Sequence, residues 1–178
     1  MQVVDKIISN FVNNKSLYIG EKVTMSEHMI QTAMLAEKAK CSDDLICSSL
    51  LHDYGHFILE KPDELVKLNV DGQHENIGYE YLKSFFKKEI LEPIKYHVLA
   101  KRYLANDEKY FSLLSEASIT SLELQGGVLN SEECEKFEAQ EYFKPSILLR
   151  KFDEAAKKTG IKMKSIHEYQ KLLSSKLI

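Results

Sequence analysis

The sequence contains no tryptophan, only three prolines and only seven glycines among its 178 residues. Because proline and glycine interrupt helices and mark turns, their scarcity favours a helical protein over a turn-rich β-protein. The three cysteines, Cys41, Cys47 and Cys134, form no C-x-x-C pair, and one would be left over if two were bridged. This cysteine usage is typical of a reduced, cytoplasmic protein rather than one stabilised by disulfides.

The chain also lacks a basic excess and a long apolar run. Its 24 Lys and Arg residues are outnumbered by 27 Asp and Glu, giving a net charge of −3, whereas a nucleic-acid surface usually has a basic excess. No apolar stretch approaches the roughly 18 residues of a membrane span, and the N-terminal segment does not have the pattern of a signal peptide. We therefore expect a cytoplasmic protein that binds neither nucleic acid nor membrane.

Apolar residues at helical spacing are present almost throughout, and 44% of the chain is hydrophobic, which suffices for one buried core. We expect one all-α domain over residues 1–178, since no segment shows the alternation of a β-strand. Turns are predicted at Pro62, at Asp71-Gly72 and at Gln125-Gly126-Gly127. The predicted helices cover about residues 3–11, 24–40, 42–55, 74–86, 93–101, 106–118, 131–138, 145–158 and 165–173.

Histidines and aspartates are the residues of chemical interest. His52 is followed by Asp53 in a segment that we predict to be helical and buried, and burying an ionised carboxylate costs several kcal/mol unless it is paired or binds a metal. One such doublet occurs often by chance, and a single histidine is usually a core or surface residue, as we expect for His167. The joint pattern predicts a shared metal site formed by His28, His52, Asp53, His74, His97 and Asp153, each among apolar neighbours.

This H…HD…H…H…D pattern resembles the extended signature of the HD-domain superfamily, which is all-helical and consists mostly of metal-dependent phosphohydrolases. The resemblance implies a single HD-domain helical bundle with a dinuclear metal site in its core. It implies that one ion is held by His28, His52, Asp53 and Asp153, and the other by Asp53, His74 and His97, with Asp53 as the bridge.

Such a site is compatible with two kinds of catalysis, and also with a protein that binds a ligand without catalysis. In a phosphohydrolase, Mn, Fe or Zn lowers the pKa of a bound water, and the hydroxide attacks phosphorus. In a smaller branch of the superfamily, a mixed-valent Fe(II)/Fe(III) pair activates O2. A degenerate HD protein can instead bind a nucleotide without turnover, but its mark would be a missing ligand, and none is missing here.

The residues before His28 resemble those of one oxygenase family. Tyr18 and Glu21 stand in Tyr-Ile-Gly-Glu-Lys-Val-Thr-Met-Ser-Glu-His, which is similar to the N-terminal motif of the PhnZ-type 2-amino-1-hydroxyethylphosphonate dioxygenases (glycine-forming). In that family the tyrosine binds the second iron of the resting enzyme until substrate displaces it, and the glutamate helps to recognise the substrate amine. Taken without further matches, these two residues favour a structural interpretation, in which Tyr18 is a loop aromatic that packs on the core and Glu21 is a solvated charge.

Further matches lie downstream and extend the resemblance over residues 18 to about 157. His52-Asp53-Tyr54-Gly55-His56 resembles the family's HD-x-GH, and on a continuous helix His56 would share a face with His52. Lys101, one turn after His97, is a natural clamp for a phosphonate. The family's phosphonate-binding run corresponds to Ser118, Ser121 and Gln125, with Ser121 where threonine is usual. Arg150 is either a partner of Asp153 or a surface charge.

The resemblance thus implies an oxidoreductase of phosphonate catabolism, a dioxygenase with two iron ions. It would cleave the C–P bond of a 1-hydroxyphosphonate with O2, as in the conversion of 2-amino-1-hydroxyethylphosphonate to glycine and phosphate. The catalytic residues would be Tyr18, Glu21, His56 and Lys101, with Tyr18 also a metal ligand. The substrate-binding residues would be Glu21, His56, Lys101, Ser118, Ser121 and Gln125. The alternative is a metal-dependent phosphohydrolase acting on a nucleotide or small phosphomonoester. The substrate stays open among aminoethyl, trimethylaminoethyl and shorter hydroxyphosphonates, and we expect Tyr54, Phe57 and residues 58–72 to form the deciding pocket wall.

Overall fold

The computed structural model describes residues 2–18, 20–59 and 73–178, and the regular secondary structure within these ranges is helical. The all-α prediction is therefore confirmed. The α-helices are α1 (Val3–Asn13), α2 (Met25–Lys38), α3 (Asp43–Leu51), α4 (His74–Leu82), α5 (Lys88–Leu104), α6 (Glu108–Phe111), α7 (Glu116–Leu124), α8 (Ser131–Glu138), α9 (Phe143–Ala155) and α10 (Gln170–Ser175). Two 3-10 segments cover Tyr54–Phe57 and Ile166–Tyr169. The turns predicted at Pro62 and Asp71-Gly72 lie outside the described residues.

The core lies between five helices that pack against one another. Helix α5 contacts α3, α4 and α9, and α2 contacts α3 and α9. Met29, Leu50, Leu51 and Ile94 are fully buried where these helices meet, so apolar burial fixes their relative positions. No helix in the described ranges has the length and apolar character that crossing a bilayer requires.

Helix α2 begins where the sequence predicts it to begin. The backbone N–H of Glu27 donates to Thr24 Oγ1 at 3.1 Å, and the backbone N–H of Thr24 donates to Glu27 Oε2 at 2.7 Å. This reciprocal capping box satisfies two otherwise unpaired amides. It also places His28 in the first turns of α2, facing the interior.

Helix α3 ends earlier than predicted. We expected it to continue to about Gly55, but it ends at Leu51, and a 3-10 segment follows. The reason is a close approach of two chain segments: a Cβ atom added to Gly55 would lie 1.9 Å from the carbonyl oxygen of His74 and 3.0 Å from the amide nitrogen of Gly78. The chain leaves the helix so that Gly55 can rest against α4.

Other boundaries also differ from the prediction. Pro93 is an interior residue of α5, which begins at Lys88 and not at Pro93; the missing N–H costs one bond of a helix buried on several sides. The helix predicted over 106–118 divides into α6 and α7, because the Ser115 hydroxyl caps α7 by accepting from Ser118 N. Helices α4 and α9 end before the predicted residues 86 and 158, and the last predicted helix divides into a 3-10 segment and α10.

Candidate metal centre and adjoining cavity

The six histidines and aspartates predicted as metal ligands meet in the core, and Tyr18, the seventh predicted ligand, stacks on one of them. The six form two buried groups, within each of which the candidate ligand atoms lie within 4.8 Å of one another. One group comes from α2, the end of α3 and α9, and the other from the end of α3, α4 and α5. Their members are His28, His52 and Asp153 in the first group and Asp53, His74 and His97 in the second.

The carboxylate of Asp53 lies between the two groups. Its Oδ2 atom is 3.5 Å from His28 Nε2 and 3.3 Å from His52 Nε2. Its Oδ1 atom is 3.2 Å from His74 Nε2 and 3.4 Å from His97 Nε2. Each oxygen therefore faces a different group, which is the arrangement that a bridging carboxylate needs.

The backbone fixes how three of the histidine rings are turned. In each, Nδ1 lies at hydrogen-bond distance from a carbonyl oxygen, and because a carbonyl only accepts, Nδ1 is the donor and Nε2 points into the site. The distances are 3.0 Å from His28 to Ala156, 2.9 Å from His52 to Ser49 and 2.6 Å from His97 to Ile94. The Nδ1 atom of His74 instead lies 3.7 Å from the Glu75 carboxylate.

Positive charge has to lie between these converging atoms. The Nε2 atoms of His28 and His52 are 3.2 Å apart, and those of His74 and His97 are 3.0 Å apart, too close for two facing lone pairs. Oδ2 of Asp53 and Oδ1 of Asp153 are buried and have no hydrogen-bond partner among the described residues. Two metal ions would satisfy these atoms, and a set of imidazoles and carboxylates suits Fe, Mn or Zn.

Protons are the competitors of metal ions at this site. Burial lowers the pKa of His28, but the carboxylates of Asp153 and Asp53, 3.2 and 3.5 Å from its Nε2 atom, outweigh burial and raise the pKa to about 9. Without a metal, His28 is therefore protonated at neutral pH, and a metal ion that binds there must release this proton.

The role of Arg150 was left open by the sequence, and the structure makes it a partner of Asp153. Its side chain is buried, and its guanidinium donates to Asp153 Oδ2, to Glu154 Oε2 and, at 2.8 Å, to the hydroxyl of Tyr110. Burial would raise the pKa of Asp153, but Arg150 and His28 hold it well below its usual range. Asp153 is thereby kept ionised and oriented as a ligand.

Tyr18 covers the first group of candidate ligands. Its ring stacks on the ring of His28, with 4.0 Å between centroids and 10° between planes. Burial, together with Asp53 and Asp153, raises the pKa of the phenol well above its usual value. The loop is held against α7 at Gly20, whose φ is +75° and where an added Cβ would lie 2.6 Å from Ala117 Cβ.

A cavity of about 330 Å³ opens onto the second group. Tyr54 and Phe57, which we expected in its wall, are not among the described residues that line it; Tyr54 is fully buried. Ile58 and Leu59, at the start of the expected segment 58–72, do not line the cavity either, and residues 60–72 lie outside the described residues. The polar and charged lining residues are Tyr18, Asp53, His56, His74, His97, Lys101, Glu116, Ser118, Thr120, Ser121, Gln125 and Arg150.

One wall of the cavity carries the residues predicted to bind a phosphonate. Lys101 Nζ donates to Ser121 Oγ at 2.8 Å, and Ser121 Oγ donates to the carbonyl of Ser118 at 3.1 Å. Burial, and then the nearby Arg150, lowers the pKa of Lys101 to about 7. Gln125 Oε1 is buried without a hydrogen-bond partner among the described residues, so it is available to a ligand.

His56 and Glu21 differ from their expected settings. His56 lies in the 3-10 segment and not on one continuous helix with His52; its ring stacks on His74 with 4.2 Å between centroids. Burial, with His74, lowers the pKa of His56 to about 3, so its imidazole is neutral at pH 7. The Glu21 carboxylate does not line the cavity; its Oε1 lies 3.3 Å from Lys157 Nζ.

Several residues around the site were not predicted. Lys157 and Glu154 form an ion pair at 2.8 Å beside Ser118, and Tyr110 supports Arg150. A signal for part of this network was present, because Arg150, Glu154 and Lys157 follow one another at the spacing of facing residues on a helix. His167, by contrast, is exposed as expected.

Known proteins resemble this chain over most of its length. The HD-domain family model matches residues 25–126. A hydroxymethylphosphonate dioxygenase of Gimesia maris is 42% identical over 85% of this chain and 77% of its own. A [1-hydroxy-2-(trimethylamino)ethyl]phosphonate dioxygenase (glycine-betaine-forming) of Leisingera caerulea is 45% identical over 81% and 74%. An uncharacterised protein of Acanthamoeba polyphaga mimivirus is 38% identical over 88% and 73%.

The helical fold, the two His/Asp groups and the family match together define the class, and this chain belongs to the HD-domain family. Within that family it is similar to proteins named as phosphonate dioxygenases, so the resemblance predicted from Tyr18, Glu21 and the downstream motifs is confirmed. These relatives support the expectation of an oxygenase over that of a phosphohydrolase.

Proposed function

We propose that this protein uses two iron ions and O2 to cleave the C–P bond of a 1-hydroxyphosphonate. The observation that carries the proposal is the placement of Lys101, Ser121 and Gln125 on the wall of a cavity whose floor contains Asp53 and its histidines. An ammonium, a hydroxyl and an amide match the charge and the oxygens of a phosphonate. The names of two relatives support the same chemistry.

The ions would be held by the two His/Asp groups, with Asp53 shared between them. Iron is our proposal for their identity, because it supplies the activation of O2 that this reaction requires. Imidazole and carboxylate ligands are compatible with iron. Burial of the groups leaves the cavity side, next to His74 and His97, as the direction from which a substrate approaches.

The overall reaction balances without an external reductant. The hydroxyl-bearing carbon is oxidised to a carboxylic acid, the C–P bond breaks, and phosphorus leaves as phosphate. Both atoms of O2 are reduced and appear in the products. Hydroxymethylphosphonate would thus give formic acid and phosphate, and 2-amino-1-hydroxyethylphosphonate would give glycine and phosphate.

The chain's own residues bind and orient the substrate in this proposal. Lys101, Ser121 and Gln125 hold the phosphonate, and Ser118 completes the same wall of the cavity. The neutral imidazole of His56 faces the cavity and hydrogen-bonds the substrate. Tyr18 covers the first group until the substrate enters. Holding the reacting carbon at a fixed position would lower the entropic cost of the reaction.

The test compares turnover with and without O2. The protein is loaded with iron under anaerobic conditions and offered hydroxymethylphosphonate or 2-amino-1-hydroxyethylphosphonate. We expect phosphate and the carboxylic acid in equal amounts, with matching O2 uptake and none without O2. Lys101→Met should abolish turnover, while Lys151→Met, at an exposed position of α9, should not. Equal phosphate release without O2 would contradict the proposal and favour a phosphohydrolase.

A further inference from the structure

Lys157 is a cation that the proposed reaction does not use, yet it lies beside the site. Its Nζ atom is 2.8 Å from Glu154 Oε1, 2.9 Å from Ser118 Oγ, 3.1 Å from Ser115 Oγ and 3.3 Å from Glu21 Oε1. The side chains of Lys157, Glu154 and Glu21 are each 11–15% exposed. The ammonium therefore joins the loop of Glu21 to α7 and α9 away from most of the solvent.

The charges around Lys157 cancel. Glu21 and Glu154 contribute two negative charges, and Lys157 and Arg150 contribute two positive charges. Asp153, the other partner of Arg150, belongs to the candidate metal ligands. Where water is largely excluded, charges interact strongly, so these four charges are already bound to one another. A group of zero net charge exerts little electrostatic attraction on a further cation.

The cavity itself is unfavourable for a cationic substituent. Lys101 and Arg150 line it. The charge of Arg150 is balanced by its carboxylate partners, whereas Lys101 donates to the Ser121 hydroxyl and, in the protonated form that attracts a phosphonate, adds a positive charge. Apart from the candidate ligand Asp53, Glu116 is the only carboxylate among the described lining residues, and it is exposed, so water and salt screen its charge. An ammonium group would thus be desolvated beside the Lys101 ammonium, and the described part of the wall offers it no unpaired, buried carboxylate apart from the candidate ligand Asp53.

We propose that Lys157 is a positioning residue that sets substrate specificity: it neutralises Glu21, so the site takes 1-hydroxyphosphonates whose substituent carries no positive charge. This inference rests on the proposed function and narrows its substrate class. Glu21 corresponds by resemblance to a residue that recognises an amine, and here its carboxylate is already paired with a lysine of the same chain.

The experiment measures a ratio of specificities. The iron-loaded protein is assayed for kcat/KM with hydroxymethylphosphonate, 1-hydroxyethylphosphonate and 2-amino-1-hydroxyethylphosphonate, and anaerobic calorimetry gives Kd for the same compounds. Since all three share the phosphonate, any effect of Lys157 on Ser118 cancels in the ratio. We expect the wild-type protein to prefer the uncharged compounds by about tenfold or more, equivalent to ~1.4 kcal/mol.

Three variants test whether the charge of Lys157, and not its contribution to folding, sets the specificity ratio. Lys157→Gln leaves one uncompensated carboxylate, and we expect the ratio to shift towards the amine by about tenfold. Lys157→Arg keeps the charge and should keep the ratio. Glu21→Gln combined with Lys157→Gln restores neutrality and should restore the wild-type ratio. Lys151→Gln, which removes an exposed lysine, is the matched control and should leave the ratio unchanged.

The outcomes distinguish the inference from the function on which it rests. If no hydroxyphosphonate is consumed with O2, the proposed function is wrong. If they are consumed but the wild-type protein prefers the amine, or if Lys157→Gln raises all three Kd values and lowers all three kcat/KM values without changing their ratio, the inference is overturned and the function stands. If Lys157→Gln does not fold, the double variant Lys157→Arg with Glu21→Gln is used instead. It leaves one uncompensated positive charge, so we expect the kcat/KM ratio to shift further towards the uncharged compounds.

Discussion

The ring of Tyr18 lies parallel to the ring of His28, with 4.0 Å between their centroids. This contact places an aromatic side chain from an irregular loop directly over the first group of candidate metal ligands. It holds the phenol near Asp53 and Asp153. Burial raises the pKa of the phenol most, and the two carboxylates raise it further. A metal ion beside the phenol would have the opposite effect and favour the phenolate.

Replacement of Tyr18 tests whether its oxygen binds iron. Tyr18→Phe keeps the stacked ring and removes only the hydroxyl, so we expect a folded protein that still binds iron. If the phenolate is a ligand, the iron-loaded wild-type protein absorbs visible light through phenolate-to-iron charge transfer, and the variant does not. Tyr142→Phe serves as the control. A band of equal intensity in Tyr18→Phe would contradict the assignment.

The shared position of Asp53 predicts how metal binding depends on each ligand. Asp53→Ala removes an oxygen from both groups, so we expect tight binding of both ions to be lost. His74→Ala affects only the second group and should leave one ion bound. Elemental analysis of the purified variants measures both, with Asp5→Ala, at an exposed position of α1, as the control. Retention of two ions by Asp53→Ala would show that it is not a bridge.

The pKa of Lys101 predicts the pH dependence of substrate capture. This pKa is lowered to about 7 by burial and by Arg150, and the protonated form attracts the phosphonate. As pH rises through 7 the ammonium loses its proton, so kcat/KM should fall by about tenfold per pH unit above the pKa. In Lys101→Arg the cation persists, and the fall should move to higher pH. An unchanged alkaline limb in that variant would exclude Lys101 as its cause.

The contact between Gly55 and α4 predicts a large effect of a single methyl group. In Gly55→Ala, the new Cβ would lie 1.9 Å from the carbonyl oxygen of His74, so the two segments must separate. We expect a loss of about 1–3 kcal/mol in the free energy of unfolding, measured with denaturant, and weaker metal binding by the second group. At Gly160, where φ is +69° and no atom lies near a new Cβ, alanine should cost only about 1 kcal/mol.

The candidate metal ligands could be predicted from the sequence because the histidines and aspartates form a joint pattern that resembles the HD-domain signature, although no one of these residues is informative alone. Histidines and aspartates among apolar neighbours, as at His52 and Asp53, are costly to bury without a partner. The helical fold could be predicted for a related reason, since apolar periodicity reports which face of a helix is buried. These features depend on local sequence, and no knowledge of distant contacts is needed to recognise them.

The remaining features depend on contacts between distant segments. Helix α3 ends before His52 because Gly55 meets His74 across the core, and nothing adjacent in the sequence indicates this. The pairing of Glu21 with Lys157 joins residues that are far apart in the chain. For the same reason the sequence could not show that Glu21 has a partner, and its role as a recognition residue was assigned from resemblance alone.

The hydrogen bonds from His28, His52 and His97 to backbone carbonyls have a consequence for the handling of the metal. A small zinc domain collapses when its ion is removed, because the ion is what holds the chain together. Here three rings are oriented by peptide groups that belong to the packed helices, so we expect the fold and the orientation of these rings to persist when the metal is removed. Different metal ions could then be bound to the same protein in turn, which makes it suited to substitution with spectroscopically active metals.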